Sequence, residues 1–215
     1  MDESETQPRH HKHFWFIDGN VVFQVEKRLF KVHRYFFHRD SAVFRVMFEL
    51  PQARDGTSAE GATDANPIHL EGTKSVDFER FLVILYPLQV SLTVSFTSTS
   101  LSSDEEWVSC LEFAAKWDFQ SVRELAIRSL TTSTTFSPVD KIVIGRRLKI
   151  PSWLMPSYTE LCNRREPLGM TDGFQLGMLD TLLISQTREK IRGFTTRHGY
   201  NDTAIADAFR DRVRL

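Results

Sequence analysis

The chain has 215 residues, 41% of them hydrophobic, with 27 Lys and Arg against 28 Asp and Glu. That suits one large domain or a domain with an appendage, and a net charge of −1 argues against a direct nucleic-acid binder. No run approaches the ~18 apolar residues of a transmembrane helix, and the opening MDESETQPRHHKH has no apolar signal-peptide core.

Residues 1–12 are polar and aperiodic, so they are expected to form a disordered tail. Residues 13–17 (HFWFI) form a short apolar run and a predicted strand. Asp18-Gly19-Asn20 is a turn signal before Val21-Val22-Phe23-Gln24-Val25, whose β-branched and aromatic composition predicts a strand. A polar break at residues 26–28 and renewed strand character at residues 29–33 predict a hairpin. Ser41 is placed to cap a helix carrying Val43, Phe44, Met47 and Phe48 on one face. Residues 52–66 (QARDGTSAEGATDAN) predict a mobile loop.

A helix over residues 77–86 with Phe78, Phe81, Leu82 and Leu85 in register ends at Pro87. Residues 88–96 alternate partly like a strand, and residues 97–103 read as a loop. Ser103 and Glu106 form a capping box for a helix with Trp107, Cys110, Leu111 and Ala114 on one face. A further helix carries Val122, Leu125, Ala126 and Ser129, and residues 131–137 make a hinge. Ser137-Pro138 opens the next helix as N-cap and first residue. A short helix around Trp153 and Tyr158 follows. Thr171 is expected to cap one long last helix with Leu176, Leu179, Leu182 and Leu183. No internal repeat is visible. Cys110 and Cys162 lie among apolar residues, so buried free thiols are expected, consistent with the cytoplasm or nucleus.

The order D-G-N-V…V…F-x-V-H-R…S-x-V-F-x-x-M-F, carried by Asp18, Gly19, Val21, Phe30, His33, Arg34, Ser41, Phe44, Met47 and Phe48, resembles a BTB/POZ domain. It is most similar to the BTB proteins common in fungi. Residues 68–72 (IHLEG), 78–87 (FERFLVILYP) and 107–119 (WVSCLEFAAKWDF) resemble later segments of that family, in order. The resemblance implies an α+β fold: a small sheet flanked by a helix cluster over residues 13–130. A helical, shortened BACK-like extension over residues 137–215 follows. It implies a protein-interaction module rather than an enzyme, needing no cofactor or metal. The expected partner is a second copy or another BTB protein, as a homodimer or heterodimer. Cullin-adaptor and transcriptional roles are its other known uses. Many BTB domains carry an Asp where Asn20 stands; Asn20 cannot supply that charge to a corepressor groove. The loop after residue 51 holds no convincing copy of the family's hydrophobic-x-Glu cullin contact.

No phosphate loop, nucleophile elbow or paired-carboxylate pattern is present. His10, His11 and His13 have metal-ligand spacing, but they lie in or at the end of the expected tail and are read as solvated. His33 is read as structural, its ring bonding backbone at a strand-to-helix junction, with Asp18, Asn20 and Arg34 grouped nearby. Residues 1–140 hold 14 Lys and Arg against 20 Asp and Glu, and residues 141–215 hold 13 against 8. Solvated helix faces explain this first, an acidic partner second. Phe14, Trp15 and Phe16 with Ile17, and Tyr35 with Phe36, crowd large apolar groups into short elements. One side of each can join the core, and the other must meet something else. BTB domains dimerise through their N-terminal strand and first helix, which makes Phe14, Trp15, Phe16, Tyr35 and Phe36 the candidate interface. Cover by the C-terminal helices of the same chain is the alternative.

Overall fold

Strands β1 (Arg9–Trp15), β2 (Val21–Val25) and β3 (Arg28–Val32) build most of a small sheet. β2 and β3 form the expected antiparallel hairpin, in register from Val21↔Val32 to Val25↔Arg28. The turn between them is only Glu26 and Lys27, and Glu26 takes a left-handed φ of 55°, which a two-residue hairpin turn demands. β1 runs parallel along β3, and β4 (Ile68–His69) runs parallel along β2, giving the order β1-β3-β2-β4. The computed structural model describes residues 7–50, 59–87, 101–193 and 200–214. Residues 52–58 of the expected loop and residues 88–100 of the expected strand and loop lie outside them.

β1 starts at Arg9, four residues before the expected strand, so residues 9–12 of the expected tail belong to the sheet. Side-chain polarity misleads here because the strand is held by main-chain bonds to β3. Two inward positions, His11 and Phe14, are enough to seat it.

Among the described residues, five helices join the sheet in the first compact unit, Met1–Leu130. They are α1 (Arg34–Asp40), α2 (Ala42–Glu49), α3 (Ser75–Leu85), α4 (Asp104–Lys116) and α5 (Gln120–Thr132). Their ends follow the local chemistry. Ser41 accepts from the Phe44 N–H at 3.0 Å and starts α2; its hydroxyl donates to the Trp117 carbonyl at 2.5 Å, tying α2 to the end of α4. Ser103 and Glu106 form the expected capping box on α4. α3 has no cap of its own, and the Glu26 carboxylate reaches from the hairpin to accept the Ser75 N–H at 3.0 Å. That bond holds Glu26 below the usual carboxylate range.

Among the described residues, nine phenylalanines fill this core: Phe14, Phe23, Phe30, Phe37, Phe44, Phe78, Phe81, Phe113 and Phe119. Phe37 sits at the hub, its ring centroid 4.8 Å from Phe23, 5.1 Å from Phe44 and 5.7 Å from Phe119, with Phe78 and Phe81 just over 6 Å away. Tilted and edge-on pairs of this kind add about 0.5–1.5 kcal/mol each beyond area burial.

The second unit, Thr131–Leu215, is helical among its described residues: α6 (Pro138–Arg147), α7 (Pro151–Asn163), α8 (Met170–Leu176), α9 (Met178–Gly193) and α10 (Tyr200–Val213). Ser137 caps α6 with Pro138 at its first turn, as expected. The single long last helix is instead two. Gly177 stands between α8 and α9 at φ 81°, a conformation that suits glycine and breaks the helix. Gly169, rather than Thr171, precedes α8.

Asp180 of α9 is fully buried. It receives Arg146 of α6, the Tyr158 hydroxyl of α7 at 3.0 Å and Arg212 of α10 at 2.7 Å. Tyr158 stacks on Phe209 at 4.2 Å, and its hydroxyl is pushed up by burial and by Asp180. Arg188, also buried, donates to the carbonyls of Leu161 and Glu166, closing the end of α7. Both cysteines are free and buried as expected, and burial pushes the Cys110 thiol up to about 12.

Candidate protein-interaction surface

The candidate face is built where β1, the β3–α1 junction and the end of α3 meet. The parallel ladder of β1 on β3 pairs His10 with Leu29 and Trp15 with Lys31. β1 therefore bulges between them, and a bulge leaves main-chain N–H groups without ladder partners. His11 supplies the missing acceptor: its Nδ1 takes the N–H of His13 at 3.2 Å and of Phe14 at 3.1 Å. Its ring stacks on Phe30 at 4.6 Å, and its Nε2 lies 3.3 Å from Glu79. A nitrogen that accepts twice carries no proton, so the ring is neutral with its proton on Nε2. His11 is 5% exposed and is no part of a solvated tail. Among the described residues no group of three or more His, Cys, Asp and Glu is placed to hold a metal ion.

Burial holds His11 below its ordinary value, against the raising effect of Glu79. The unfolded chain takes up a proton at this residue below pH ~6.5, while the folded chain resists. The unfolded state then binds more protons, so stability falls as pH drops through and below that value, by at most about 1.4 kcal/mol per pH unit. His11→Gln keeps an acceptor for the bulge and cannot titrate. Urea unfolding across this range should show a shallower acid loss for the variant, and parallel curves would remove the role given to His11.

His33 closes the other side. Its main-chain N–H donates to the Tyr86 hydroxyl at 2.9 Å, its Nδ1 faces the same hydroxyl at 3.1 Å, and its Nε2 lies 3.2 Å from Asp18. The ring thus bonds two side chains rather than backbone. That bond to His33 lowers the Asp18 carboxyl. Asn20 accepts the Arg34 N–H at 2.8 Å, capping α1, whose own N-cap His33 offers no side-chain cap bond. Arg34 turns away to the Phe48 carbonyl at 2.8 Å, with its guanidinium 4.4 Å over the Phe48 ring. Asn20 thus bonds the Arg34 main chain, while Asp18 and the Arg34 side chain take other partners.

Tyr86 is the centre that the sequence reading passes over. Its ring lies 4.8 Å from Phe16, 5.2 Å from Phe36, 5.7 Å from His33 and 6.3 Å from Phe14. The Tyr-Pro at the end of a helix was the available signal, but it marks a helix end and gives no hint of this contact. Around Tyr86, Phe16 and Phe36 are half-buried, Tyr35 is 63% exposed and packs edge-on against Phe36 at 5.6 Å, and Ile17 is 96% exposed. Arg39 lies 5.4 Å above the rings of both Tyr35 and Phe36. Trp15 is half-buried but stacks on His10 at 3.6 Å, at the edge of this group. Phe14 is 1% exposed and belongs to the core. It leaves the candidate interface because the pleat that turns neighbouring residues outward turns Phe14 inward.

A small sheet with helices packed on it thus carries partly buried and exposed aromatic side chains at its first strand and first helix. The chain belongs to the BTB/POZ domain family, whose sequence profile matches residues 11–134. BTB domains are protein–protein interaction modules, and self-association is among their uses. No curated protein shows significant similarity to this chain. No helix among the described residues is long and apolar enough to cross a membrane.

Proposed function

We propose that the BTB unit pairs with a second BTB unit, of the same chain or of another BTB protein, through Phe16, Ile17, Tyr35 and Phe36 with Trp15 at the margin. The protein then acts as an intracellular scaffold or adaptor without catalysis, and its helical second unit is a shortened BACK-like extension. The observation that carries this reading is the exposure of Ile17 and Tyr35 beside the half-buried rings of Phe16 and Phe36. Aromatic anchors at the centre of an interface carry most of its affinity. Replacing both Phe16 and Phe36 by Asp should raise the dissociation constant of self-association at least ~100-fold, since two anchors are worth about 2 kcal/mol or more each. Sedimentation equilibrium measures it, and a variant that associates like the parent sinks this face.

A second reading, cullin adaptor, draws on α2. Val43, Val46 and Leu50 are exposed there, ahead of the segment where the family makes its cullin contact. Val46→Asp should then abolish capture of a cullin by the purified chain, and a chain that captures none rejects this role.

A further inference from the structure

Four arginines gather where α7 ends. Arg164 and Arg165 follow its last residue, and Arg188 and Arg192 stand one turn apart on α9. Main-chain oxygens tie them into one cluster. Arg188 donates to the carbonyls of Leu161 and Glu166, and Arg192 donates to the carbonyl of Arg164 at 3.3 Å. Both also reach the Arg165 carbonyl, Arg188 at 3.3 Å and Arg192 at 3.0 Å. Their Nη2 atoms are therefore no more than about 6.3 Å apart, a spacing at which like charges repel.

Capping of α7 accounts for only part of this charge. The carbonyls at a helix C-terminus carry roughly half a negative charge, which suits a single cation. Arg164 is paired with Asp172, and its Nε is buried without a hydrogen-bond partner. Arg188 is 6% exposed, and among the described residues no carboxylate pairs with it, with Arg165 or with Arg192. Burial, then the charges of Arg192 and Arg164, hold Arg188 below the usual arginine range, while Glu166 acts the other way. Glu189 and Lys190, between Arg188 and Arg192 in the chain, offset each other. Four arginines against Asp172 and Glu166 leave a local surplus of two positive charges, although the whole chain is net −1.

That surplus selects the occupant. A carboxylate brings one negative charge. A phosphoryl group on Ser, Thr or Tyr brings about −1.5 to −2 at pH 7, with three oxygens to share among planar guanidinium groups. Arg165 and Arg192 are exposed and open to such a group, while Arg188 is buried beside them. Nucleic acid carries many phosphates and calls for a basic stripe. A surplus confined to one point matches a single phosphoryl group.

We propose that the arginine cluster at the end of α7 recognises a phosphorylated side chain of a partner protein. Arg165 and Arg192 bind the phosphoryl oxygens, and Arg188 adds its charge from the buried side. The site lies in the helical unit and is independent of pairing through the β1–α1 face. The test follows the arginine Nε–H resonances of the 15N-labelled full chain. The probes are the peptide Gly-Gly-phosphoserine-Gly-Gly and its counterparts with serine or glutamate at the centre. The phosphoserine peptide should shift the Arg165 and Arg192 resonances saturably and bind at least about tenfold more tightly than the glutamate peptide. Arg165→Gln with Arg192→Gln should weaken binding at least about tenfold. Arg165→Gln alone, which removes no side-chain bond seen in the structure, should weaken it measurably with an unchanged unfolding temperature. Unshifted resonances, equal binding of the glutamate peptide or unchanged affinity in the variants would each overturn the proposal. So would inorganic phosphate binding where the phosphopeptide does not, and so would a stronger response to a short single-stranded oligonucleotide, which would give the cluster to nucleic acid.

Discussion

Asp180→Ala should destabilise the helical unit by about 3 kcal/mol, because it leaves Arg146 and Arg212 facing a site with no counter-charge. Four helices converge on this carboxylate, which is fully buried, while the two guanidinium groups keep a quarter to a third of their side-chain surface in solvent. That partial exposure keeps the cost at the lower end of the ~3–5 kcal/mol range for breaking a buried pair. Asp180→Asn keeps one acceptor oxygen, enough for either Arg212 or the Arg146 and Tyr158 pair, and should lose less. Hydrogen exchange should show lost protection in α10 first. That helix is held to the others by Arg212 and by the stacking of Phe209 on Tyr158, both at this site. A denaturation midpoint and α10 protection unchanged in the alanine variant would show that the cluster contributes nothing net.

The adjacent pair Phe36 and Phe37 should separate folding from association. Phe37→Ala removes the ring around which Phe23, Phe44, Phe78, Phe81 and Phe119 are packed. Its expected cost is about 3–5 kcal/mol, a large part of the ~5–15 kcal/mol that holds a typical domain together. Phe36→Ala removes a partly buried ring packed at the margin of the core and should cost less stability while weakening self-association. Urea unfolding and sedimentation of the two variants test this together. Equal loss of stability would place Phe36 in the core; full stability of Phe37→Ala would contradict the packing.

What could be read from the sequence was local. Ser41, Ser103 and Ser137 start helices because a hydroxyl reaches an N–H three residues on, a relation written within four letters. The hairpin was legible because alternation and a polar break are adjacent in the chain. Burial of His11 was not, since it depends on a bulge produced by pairing with β3, far along the sequence. The cluster around Asp180 was not legible either, since its three partners come from three other helices. The break at Gly177 was missed because an isolated glycine within an apolar pattern is often tolerated in a helix. Within the candidate face, composition singled out the aromatic crowd, but only the fold sends Phe14 inward and gathers Phe16 and Phe36 at Tyr86.

The bulge in β1 also limits how this protein can assemble. An outer strand with a straight, open main-chain edge is a template for any passing strand, and sheets then grow without end. In this sheet one outer strand, β4, is two residues long, and the other, β1, is distorted, with two of its N–H groups already committed to an imidazole. Strand addition at these edges gains few bonds. Contact through side chains, which fixes one geometry and stops at a defined number of copies, is the route this arrangement leaves open.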